Sequence, residues 1–194
     1  MSINERGFWS RDEHQQEHRH AHSDELSGFI IDYLKNYKDS NIIDFGCGDG
    51  RYLRDLKSNG FNNLLGIEGD PIPREYVEII KGDLSLPIHL NRKGVVISLE
   101  VGEHIPKEYE SVFLDNLSRH CDSVLITSWA IRGQGGYGHV NELNNDEIIP
   151  KIENLGFNYD KEASESARLV IKRKCTWFRN TVMIFHKHST GKVY

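Results

Sequence analysis

The sequence has few cysteines, no long apolar run and no excess of positive charge. Its three cysteines, Cys47, Cys121 and Cys175, are far apart in the chain and form no Cys-x-x-Cys pair. This spacing provides neither a zinc knuckle nor a disulfide framework, and it is typical of a reducing compartment. No apolar stretch approaches the length that crosses a membrane, and none follows the first charged residues as in a secretory signal. We therefore expect a soluble, cytoplasmic protein without a membrane partner.

The charge balance also limits the partners. The formal net charge of the 194 residues is -5 at pH 7, which argues against a broad electrostatic contact with nucleic acid but leaves room for a local basic patch. The chain is 38% hydrophobic, which is enough for one good core. We predict one domain over residues 23–194, and no particular oligomeric state.

Residues 1–22 form a polar segment ahead of this domain. It contains four histidines interleaved with Glu and Arg, namely His14, His18, His20 and His22. One interpretation is a solvated, partly helical arm, since charge-rich termini usually carry no site. The other is a lid over the active site, in which Phe8, Trp9 and one or two of the histidines contact cofactor or substrate.

Apolar strands alternate with amphipathic helices through the rest of the chain. Strands are predicted at 42–45, 63–68, 76–80, 95–99 and 123–128, with two more at 157–163 and 176–187 around a basic, partly helical insertion. Helices are predicted near 23–34, 51–58, 107–119 and 145–156. This order predicts an α/β fold with a mostly parallel sheet and a reversed edge strand.

One stretch, IIDFGCGDGRYL from Ile42 to Leu53, contains a buried strand, a glycine-dense turn and the start of a helix. Glycine lets the backbone turn tightly and approach a ligand closely. The spacing of these glycines, with Asp44 ahead of them, differs from the Gly-x-Gly-x-x-Gly of dinucleotide dehydrogenases. It resembles the first motif of class I S-adenosylmethionine (SAM) methyltransferases, which implies a seven-stranded Rossmann-like fold and SAM as cofactor. A nicotinamide-binding fold is disfavoured because no hydride-transfer apparatus follows.

Four acids, Asp44, Glu68, Asp83 and Glu100, fall at predicted strand ends, where open parallel sheets bind ligands. Glu68, about 20 residues beyond the glycine loop, is placed to accept both ribose hydroxyls. The residues KGDLSL resemble the family's third-strand motif, which implies that Asp83 takes the adenine amino group. We expect the glycines to approach the methionine half and Asp44 to hold their loop by hydrogen bonds. The predicted cofactor site is Asp44, Gly46, Cys47, Gly48, Gly50, Glu68, Asp83, Leu84 and Glu100.

The segment SLEVGEHIP carries the candidate catalytic residues. Glu103 and His104 follow Glu100 by three and four residues, and in one helical turn these offsets converge on a single face. Two carboxylates and an imidazole so placed can coordinate a divalent cation beside the methyl donor. Such a cation stabilises the alkoxide of an otherwise poor nucleophile.

The Glu-x-x-Glu-His arrangement resembles that of two metal-dependent methyltransferase groups, the small-RNA 3′-terminal 2′-O-methyltransferases and the ubiquinone-pathway O-methyltransferases. In the RNA group a later histidine completes the site, which implies His139 here, at a different spacing. The resemblance therefore implies metal ligands Glu100, Glu103, His104 and His139, with Glu103, His104 and His139 as catalytic residues. These ligands suit magnesium, manganese, iron or zinc. A metal-free enzyme with a histidine as general base is the alternative.

Two adjacent oxygens chelate such a cation, so a sugar, an RNA terminal ribose or a catechol is the expected acceptor. RNA would need basic and aromatic surface, which only 168–174 with Trp177 and Phe178 offers. A catechol would need a broad apolar cap, and the polar, histidine-rich arm and the glycine loop do not provide one. The loop from Gly135 to Asn141 resembles that of small methyltransferases acting on deoxysugars such as rhamnose. A glycan hydroxyl is therefore our first choice, with contacts from Trp129, Tyr137, Asn141 and the histidine-rich arm. A non-catalytic SAM-binding module is the remaining alternative.

Overall fold

The computed structural model describes residues 2–7, 9–10, 22–71 and 74–188. Among these residues, nine strands form two sheets. In chain order the strands are β1 Ser2–Ile3, β2 Trp9–Ser10, β3 Ile42–Phe45, β4 Leu64–Glu68, β5 Glu78–Lys81, β6 Gly94–Ser98, β7 Cys121–Ser128, β8 Phe157–Tyr159 and β9 Val182–Lys187. Strands β1 and β2 form a small antiparallel pair, and the other seven form one sheet in the order β5-β4-β3-β6-β7-β9-β8.

The seven-stranded sheet confirms the predicted fold class. Strands β3 to β7 pair in parallel, whereas β9 runs antiparallel to both β7 and β8. The reversed strand therefore lies one place in from the edge. The strand order changes direction between β3 and β6, and ligands of open α/β sheets bind at the carboxyl ends of strands on either side of such a point.

Helices cover both faces of the sheet. They are α1 Asp24–Tyr33, α2 Arg51–Ser58, α3 Glu110–His120, α4 Asn145–Glu153, α5 Lys161–Leu169 and α6 Phe178–Thr181, with short 3₁₀ helices at Lys35–Tyr37, Gly102–His104 and Lys107–Tyr109. None of the helices in these parts of the chain is long and apolar enough to span a membrane.

The central strands are apolar because both of their faces are covered. All residues of β3 and β6 are buried, as expected for parallel strands between two helical layers. Alternate side chains serve opposite layers: Ile42 packs in the cluster with α1, α2 and α5, whereas Ile43 packs in the cluster with α3 and α4.

Two predicted strands are partly helical. The strand expected over 157–163 ends at Tyr159 because the next residue, Asp160, caps α5 by accepting a hydrogen bond from the Ala163 N–H at 2.9 Å. The strand expected over 176–187 begins only at Val182, after the short helix α6. Phe178, the first residue of this helix, and Trp177 just before it line the candidate site.

Candidate active site

The glycine turn between β3 and α2 has the backbone that its sequence predicts. Gly46, Gly48 and Gly50 have positive φ angles of 79°, 57° and 77°, the left-handed region that favours glycine. A Cβ at Gly46 would also lie 2.4 Å from Cγ2 of Val101, so no other residue fits there. Gly46 and Gly48 line the cavity described below, whereas Gly50 is the residue from which α2 begins.

The carboxylate of Glu68 holds this turn in place. Its Oε2 accepts a hydrogen bond from the Gly48 N–H at 2.7 Å, and its Oε1 accepts one from the Gly69 N–H at 2.8 Å. The sequence analysis gave this loop-holding role to Asp44, but within the described ranges no hydrogen bond to the Asp44 carboxylate is seen. The structure gives the role to Glu68, because β4 ends beside the turn and brings this carboxylate under the amides.

Asp44 lies at the base of the cavity and is only 3% exposed. Burial, and after it the nearby charge of Glu68, raises the pKa of Asp44 to about 8. A cationic group bound at this point would favour the ionised carboxylate. The site therefore suits a ligand that carries positive charge, as the amino acid half of SAM does.

Asp83 and Leu84 follow β5 at the other side of the turn. Asp83 Oδ1 accepts hydrogen bonds from the Ser85 N–H at 3.0 Å and from the Ser85 hydroxyl at 2.6 Å. Its Oδ2 lies 3.3 Å from the guanidinium of Arg6, which is on the turn between β1 and β2. The amino-terminal segment thus reaches the end of the cavity where the nucleoside is expected.

A single cavity of about 710 Å³ joins these groups, a volume typical of small-molecule sites. It is lined by every predicted site residue except Gly50, namely Asp44, Gly46, Cys47, Gly48, Glu68, Asp83, Leu84, Glu100, Glu103, His104 and His139. Its wall also contains residues that the sequence did not assign to a cofactor or metal, among them Arg6, Gly7, Tyr52, Trp177 and Phe178. The predicted cofactor and metal residues therefore open onto one space.

Three of the four predicted metal ligands come together. Glu103 and His104 lie in the 3₁₀ helix after β6, and His139 lies in the loop between β7 and α4. One ligand atom from each lies within 4.8 Å of the others. The backbone joins the two segments, because the Glu103 carbonyl accepts hydrogen bonds from the Val140 and Asn141 N–H groups at 2.9 and 3.0 Å.

The Glu103 carboxylate is fully buried, and within the described part of the chain neither oxygen has a hydrogen-bond partner. Burial, then the charge of Glu100, raises the pKa of Glu103 well above its usual range. The backbone N–H groups of Glu103 and Ala130 act in the opposite direction but do not reach it with hydrogen-bond geometry. A divalent cation fits here, because buried charged groups are normally paired or bound to metal.

Hydrogen bonds fix how both imidazoles face this carboxylate. The Nδ1–H of His104 donates to the Gly138 carbonyl at 3.2 Å, and the Nδ1–H of His139 donates to Oε1 of Glu142 at 2.9 Å. Each neutral ring then carries its lone pair on Nε2, the form in which histidine binds metals. The ring centroids are 4.9 Å apart at an angle of 80°.

Glu100 lies outside this three-residue cluster. The helical turn that would bring it over Glu103 begins only at Gly102, because Glu100 itself is left-handed with φ of 55°. Its carboxylate instead accepts hydrogen bonds from the Ser128 hydroxyl at 2.8 Å and the Gln134 amide at 3.1 Å. Burial raises the pKa of Glu100. Its role as a fourth ligand stays a prediction.

The predicted substrate contacts divide into two groups. Trp129 and Asn141 are buried, and the Trp129 indole N–H donates to the Asn141 carbonyl at 2.6 Å, so both support the fold rather than face a substrate. Tyr137 is 67% exposed and lines the cavity. His22 also lines it, whereas Phe8, His14, His18 and His20 lie outside the described residues and only the backbone of Trp9 is described.

Glu142 is a residue of the site that the sequence analysis did not single out. Its position three residues after His139 is the sequence signal that could have indicated it. The hydrogen bond from His139, above all, lowers the pKa of Glu142, so the group is an ionised acceptor at neutral pH.

No protein-family model matches the chain, and a search of curated proteins finds no match. Solved structures do match. The magnesium protoporphyrin IX methyltransferase ChlM from Synechocystis PCC 6803 with bound SAH has a TM-score of 0.59 and 17% identity, over 83% of this chain and 81% of that chain. The methyltransferase domain of bacterial CtHen1-C has a TM-score of 0.62 and 17% identity, over 85% and 98% of the two chains.

The glycopeptide N-methyltransferase MtfA is a third match, with a TM-score of 0.59 and 12% identity over 86% of this chain and 91% of that chain. Likenesses at such low identity establish the fold. The chain therefore has the fold of the SAM-dependent methyltransferases.

Proposed function

We propose that the protein is a SAM-dependent O-methyltransferase in which a divalent cation activates the acceptor hydroxyl. The observation that carries the proposal is the buried Glu103 carboxylate, which has no hydrogen-bond partner among the described residues and lies beside His104 and His139. A buried carboxylate without a partner costs several kcal/mol, on the order of the desolvation penalty of an ion. A bound cation would offset that cost.

The residues divide the work between two ends of one cavity. Glu68, Asp83 and the glycine turn would hold the cofactor, while Glu103, His104 and His139 would hold the cation, with Glu100 as the fourth ligand that we propose. When bound, SAM supplies an electrophilic methyl group and the cation lowers the pKa of a coordinated hydroxyl. The cluster then has to fix the acceptor oxygen in line with that methyl group, and such positioning can supply about 7–11 kcal/mol of the barrier. Carboxylate with imidazole suits magnesium, manganese, iron or zinc.

The acceptor that we propose is a vicinal diol of a sugar, such as rhamnose in a glycan. Two adjacent oxygens chelate a cation where a single hydroxyl binds weakly. Aromatic side chains of Tyr137 and Trp177 line the same cavity as the cation cluster, and they offer flat surfaces for the apolar face of a sugar ring.

A terminal ribose of RNA is the second candidate, and one observation favours it. Residues 168–179 contain five basic and no acidic residues in a chain of net charge -5. Lys172, Arg173 and Lys174 are exposed, and they come immediately before the segment that brings Trp177 and Phe178 to the cavity. Exposed cations beside stacking aromatics are typical of single-stranded RNA sites.

The turn between β1 and β2 supports the proposal of a lid. Gly7 packs so closely on the cluster that a Cβ there would lie 2.0 Å from the His104 carbonyl oxygen, and the adjacent Arg6 pairs with Asp83. One short segment thus touches both the cation end and the nucleoside end of the cavity. We propose that it closes over bound ligands and excludes water.

The decisive experiment compares the double variant Glu103→Ala/His104→Ala with wild type and with Glu108→Ala/His89→Ala, an exposed pair outside the cavity wall. The first variant should keep its affinity for S-adenosylhomocysteine by calorimetry while methyl transfer falls at least about 100-fold. The control should match wild type in both measurements. Full turnover by wild type after treatment with a chelator would refute metal-assisted catalysis and favour a metal-free general base. Full turnover by Glu103→Ala/His104→Ala would exclude both roles for these two residues.

The acceptor is tested separately with tritiated SAM. Rhamnosides, short RNA and catechols are each incubated with the protein, with and without Mn²⁺. Label in the rhamnoside supports the sugar proposal, and label in RNA alone supports the second candidate. Tight SAM binding with no label in any acceptor would instead support the non-catalytic module.

A further inference from the structure

The carboxylate of Glu142 is the point on which the second glycine-rich loop converges. Its Oε1 accepts hydrogen bonds from the Gly135 N–H at 2.7 Å and from the His139 Nδ1–H at 2.9 Å. Its Oε2 accepts a hydrogen bond from the Gly133 N–H at 2.7 Å. Three donors therefore meet two oxygens of a side chain that is 19% exposed.

Only a group that accepts and never donates satisfies this arrangement. In a glutamine at the same position, one oxygen would become an NH₂ group. That group would face the Gly133 N–H in one orientation, or the Gly135 N–H and the His139 ring in the other. In the second orientation the amide would donate to Nδ1 and move the imidazole proton to Nε2. A carboxylate is therefore required by the geometry and is not merely one polar choice among several.

The same contacts decide which nitrogen of His139 is available to a cation. Because Nδ1 donates to Glu142, the neutral ring carries its lone pair on Nε2. The loop also has to make room for the ring: a Cβ at Gly136 would lie 2.3 Å from Nε2 of His139. Glu142 holds the backbone on the amino-terminal side of Gly136 through Gly133 and Gly135, and holds the ring through Nδ1.

We infer that Glu142 is a positioning residue of the cation site, which sets the tautomer and orientation of His139 and fixes the loop of residues 133–138 around it. The inference rests on the proposed function of the Glu103, His104 and His139 cluster. Glu142 does not line the cavity, and it acts through His139 and through the loop amides of Gly133 and Gly135.

Glu147 provides a matched control in the same region. It accepts hydrogen bonds from Nε and a terminal nitrogen of Arg132, each at 2.7 Å, and from the Asn144 N–H at 3.0 Å. A Glu147→Gln variant therefore weakens hydrogen bonds at the two ends of the segment between β7 and α4, at Arg132 and Asn144. It leaves His139 untouched. An effect of loop loosening alone would appear in both variants.

The test measures Mn²⁺ affinity by electron paramagnetic resonance for wild type, Glu142→Gln and Glu147→Gln, with S-adenosylhomocysteine affinity as a check on the fold. Glu142→Gln should weaken Mn²⁺ binding about 10–100-fold, the range for second-layer partners of metal ligands, and Glu147→Gln less than about twofold. All three proteins should bind S-adenosylhomocysteine equally. Equal Mn²⁺ affinity in wild type and Glu142→Gln would overturn the inference and leave the proposed function intact.

A measurement without metal separates the two proposals. The ¹⁵N shifts of the His139 ring, assigned with a His139→Gln variant, should report the Nδ1–H tautomer in wild type and a shift away from it in Glu142→Ala, in which Nδ1 has lost its acceptor. An Nε2–H tautomer in wild type would overturn the inference by itself, even if Glu142→Gln did not fold. Wild type that showed the Nδ1–H tautomer but bound none of Mg²⁺, Mn²⁺, Fe²⁺ and Zn²⁺ would support the control of the His139 tautomer by Glu142 and refute the metal-assisted function.

Discussion

Two glycine-rich loops of this protein use the same device for different purposes. In the first, Gly46–Gly50, the carboxylate of Glu68 accepts a hydrogen bond from the Gly48 amide at 2.7 Å, and its other oxygen accepts one at 2.8 Å from Gly69, the residue after Glu68. In the second, 133–138, the carboxylate of Glu142 accepts hydrogen bonds from two amides at 2.7 Å each. In both loops a carboxylate takes the place of an external anion among amide groups that point inward.

The loops differ in the position of the acid in the chain and in whether that acid lines the cavity. Glu68 ends a neighbouring strand and lines the cavity together with Asp44, so the first loop presents negative charge to a ligand. Glu142 follows its own loop directly and is absent from the cavity wall. It contacts the back of His139, which does line the cavity. Glycine content alone therefore does not distinguish a ligand-binding loop from a supporting one. The position of the acid does, because Glu68 lines the cavity and Glu142 does not.

The largest expected effect is that of Glu68→Ala on cofactor binding. The variant removes the acceptor of the Gly48 and Gly69 amides together with the acid expected at the ribose. Charged hydrogen bonds contribute about 1.5–3 kcal/mol each, so the affinity for S-adenosylhomocysteine should fall about 100-fold or more. Calorimetry checks this.

Glu142→Ala is the variant with which Glu68→Ala is compared. It should keep S-adenosylhomocysteine affinity within about twofold, because Glu142 does not line the cofactor half. If both variants lost cofactor binding equally, the division of labour between the two loops would be wrong.

Asp44, just before the first loop, and Glu142, just after the second, should contribute to the pH dependence of stability in opposite directions. The native pKa of Asp44 is raised to about 8, so near neutral pH the native protein binds a proton that the unfolded chain has released. Stability in the absence of cofactor should therefore fall as pH rises, by about 1.4 kcal/mol per unit from this group between its ordinary pKa and 8. Urea unfolding at pH 6 and 8 measures the slope.

Asp44→Asn tests the source of that slope. It should remove this contribution and raise stability at pH 8, while it weakens cofactor binding. Glu142 behaves oppositely, because its pKa is lowered: its contribution is present above its ordinary pKa and is lost as the solution becomes acidic. Glu100 and Glu103, whose pKa values are also raised, should still contribute a fall in Asp44→Asn, but a fall as steep as that of wild type would exclude Asp44 as a source.

The sequence predicts the first loop and its acids better than it predicts the second loop and Glu142. The first loop is contiguous with a buried strand and a helix, and its acids fall at strand ends, so local patterns identify the fold and eight of the nine predicted cofactor residues as part of the cavity wall. Glu142 belongs to no periodic pattern, and its role depends on how an irregular loop closes. The helical turn assumed from Glu100 fails because that residue is left-handed, which no spacing indicates.

The third prediction concerns Gly136, which lies beside His139. Its φ is ordinary, so Gly136→Ala tests steric room alone: the new Cβ would lie 2.3 Å from Nε2 of His139 and displace the ring. Mn²⁺ affinity should fall about 10-fold, and the free energy of unfolding by about 1–3 kcal/mol as for overpacked sites. Gly28→Ala in α1, where a Cβ meets nothing within 4 Å, is the control and should leave Mn²⁺ affinity unchanged. An unchanged Mn²⁺ affinity in Gly136→Ala would mean that the cation does not depend on this ring position.

The smallest expected effect is that of Gly7→Ala, because Gly7 lies in the amino-terminal turn that touches the cluster and in neither loop. Its φ of 76° disfavours alanine, and the new Cβ would lie 2.0 Å from the His104 carbonyl oxygen, so the turn must lift from the cavity. A lifted turn carries Arg6 away from Asp83 and admits water. We expect S-adenosylhomocysteine to dissociate several-fold faster in stopped flow, with unfolding free energy lowered by about 1 kcal/mol. Arg6→Ala, which removes the ion pair without moving the backbone, should show a smaller change of the same sign. The two variants disturb one segment at opposite ends of the cavity. An unchanged dissociation rate in both would therefore exclude this segment as a lid and leave the two glycine-rich loops as the elements that enclose the ligand.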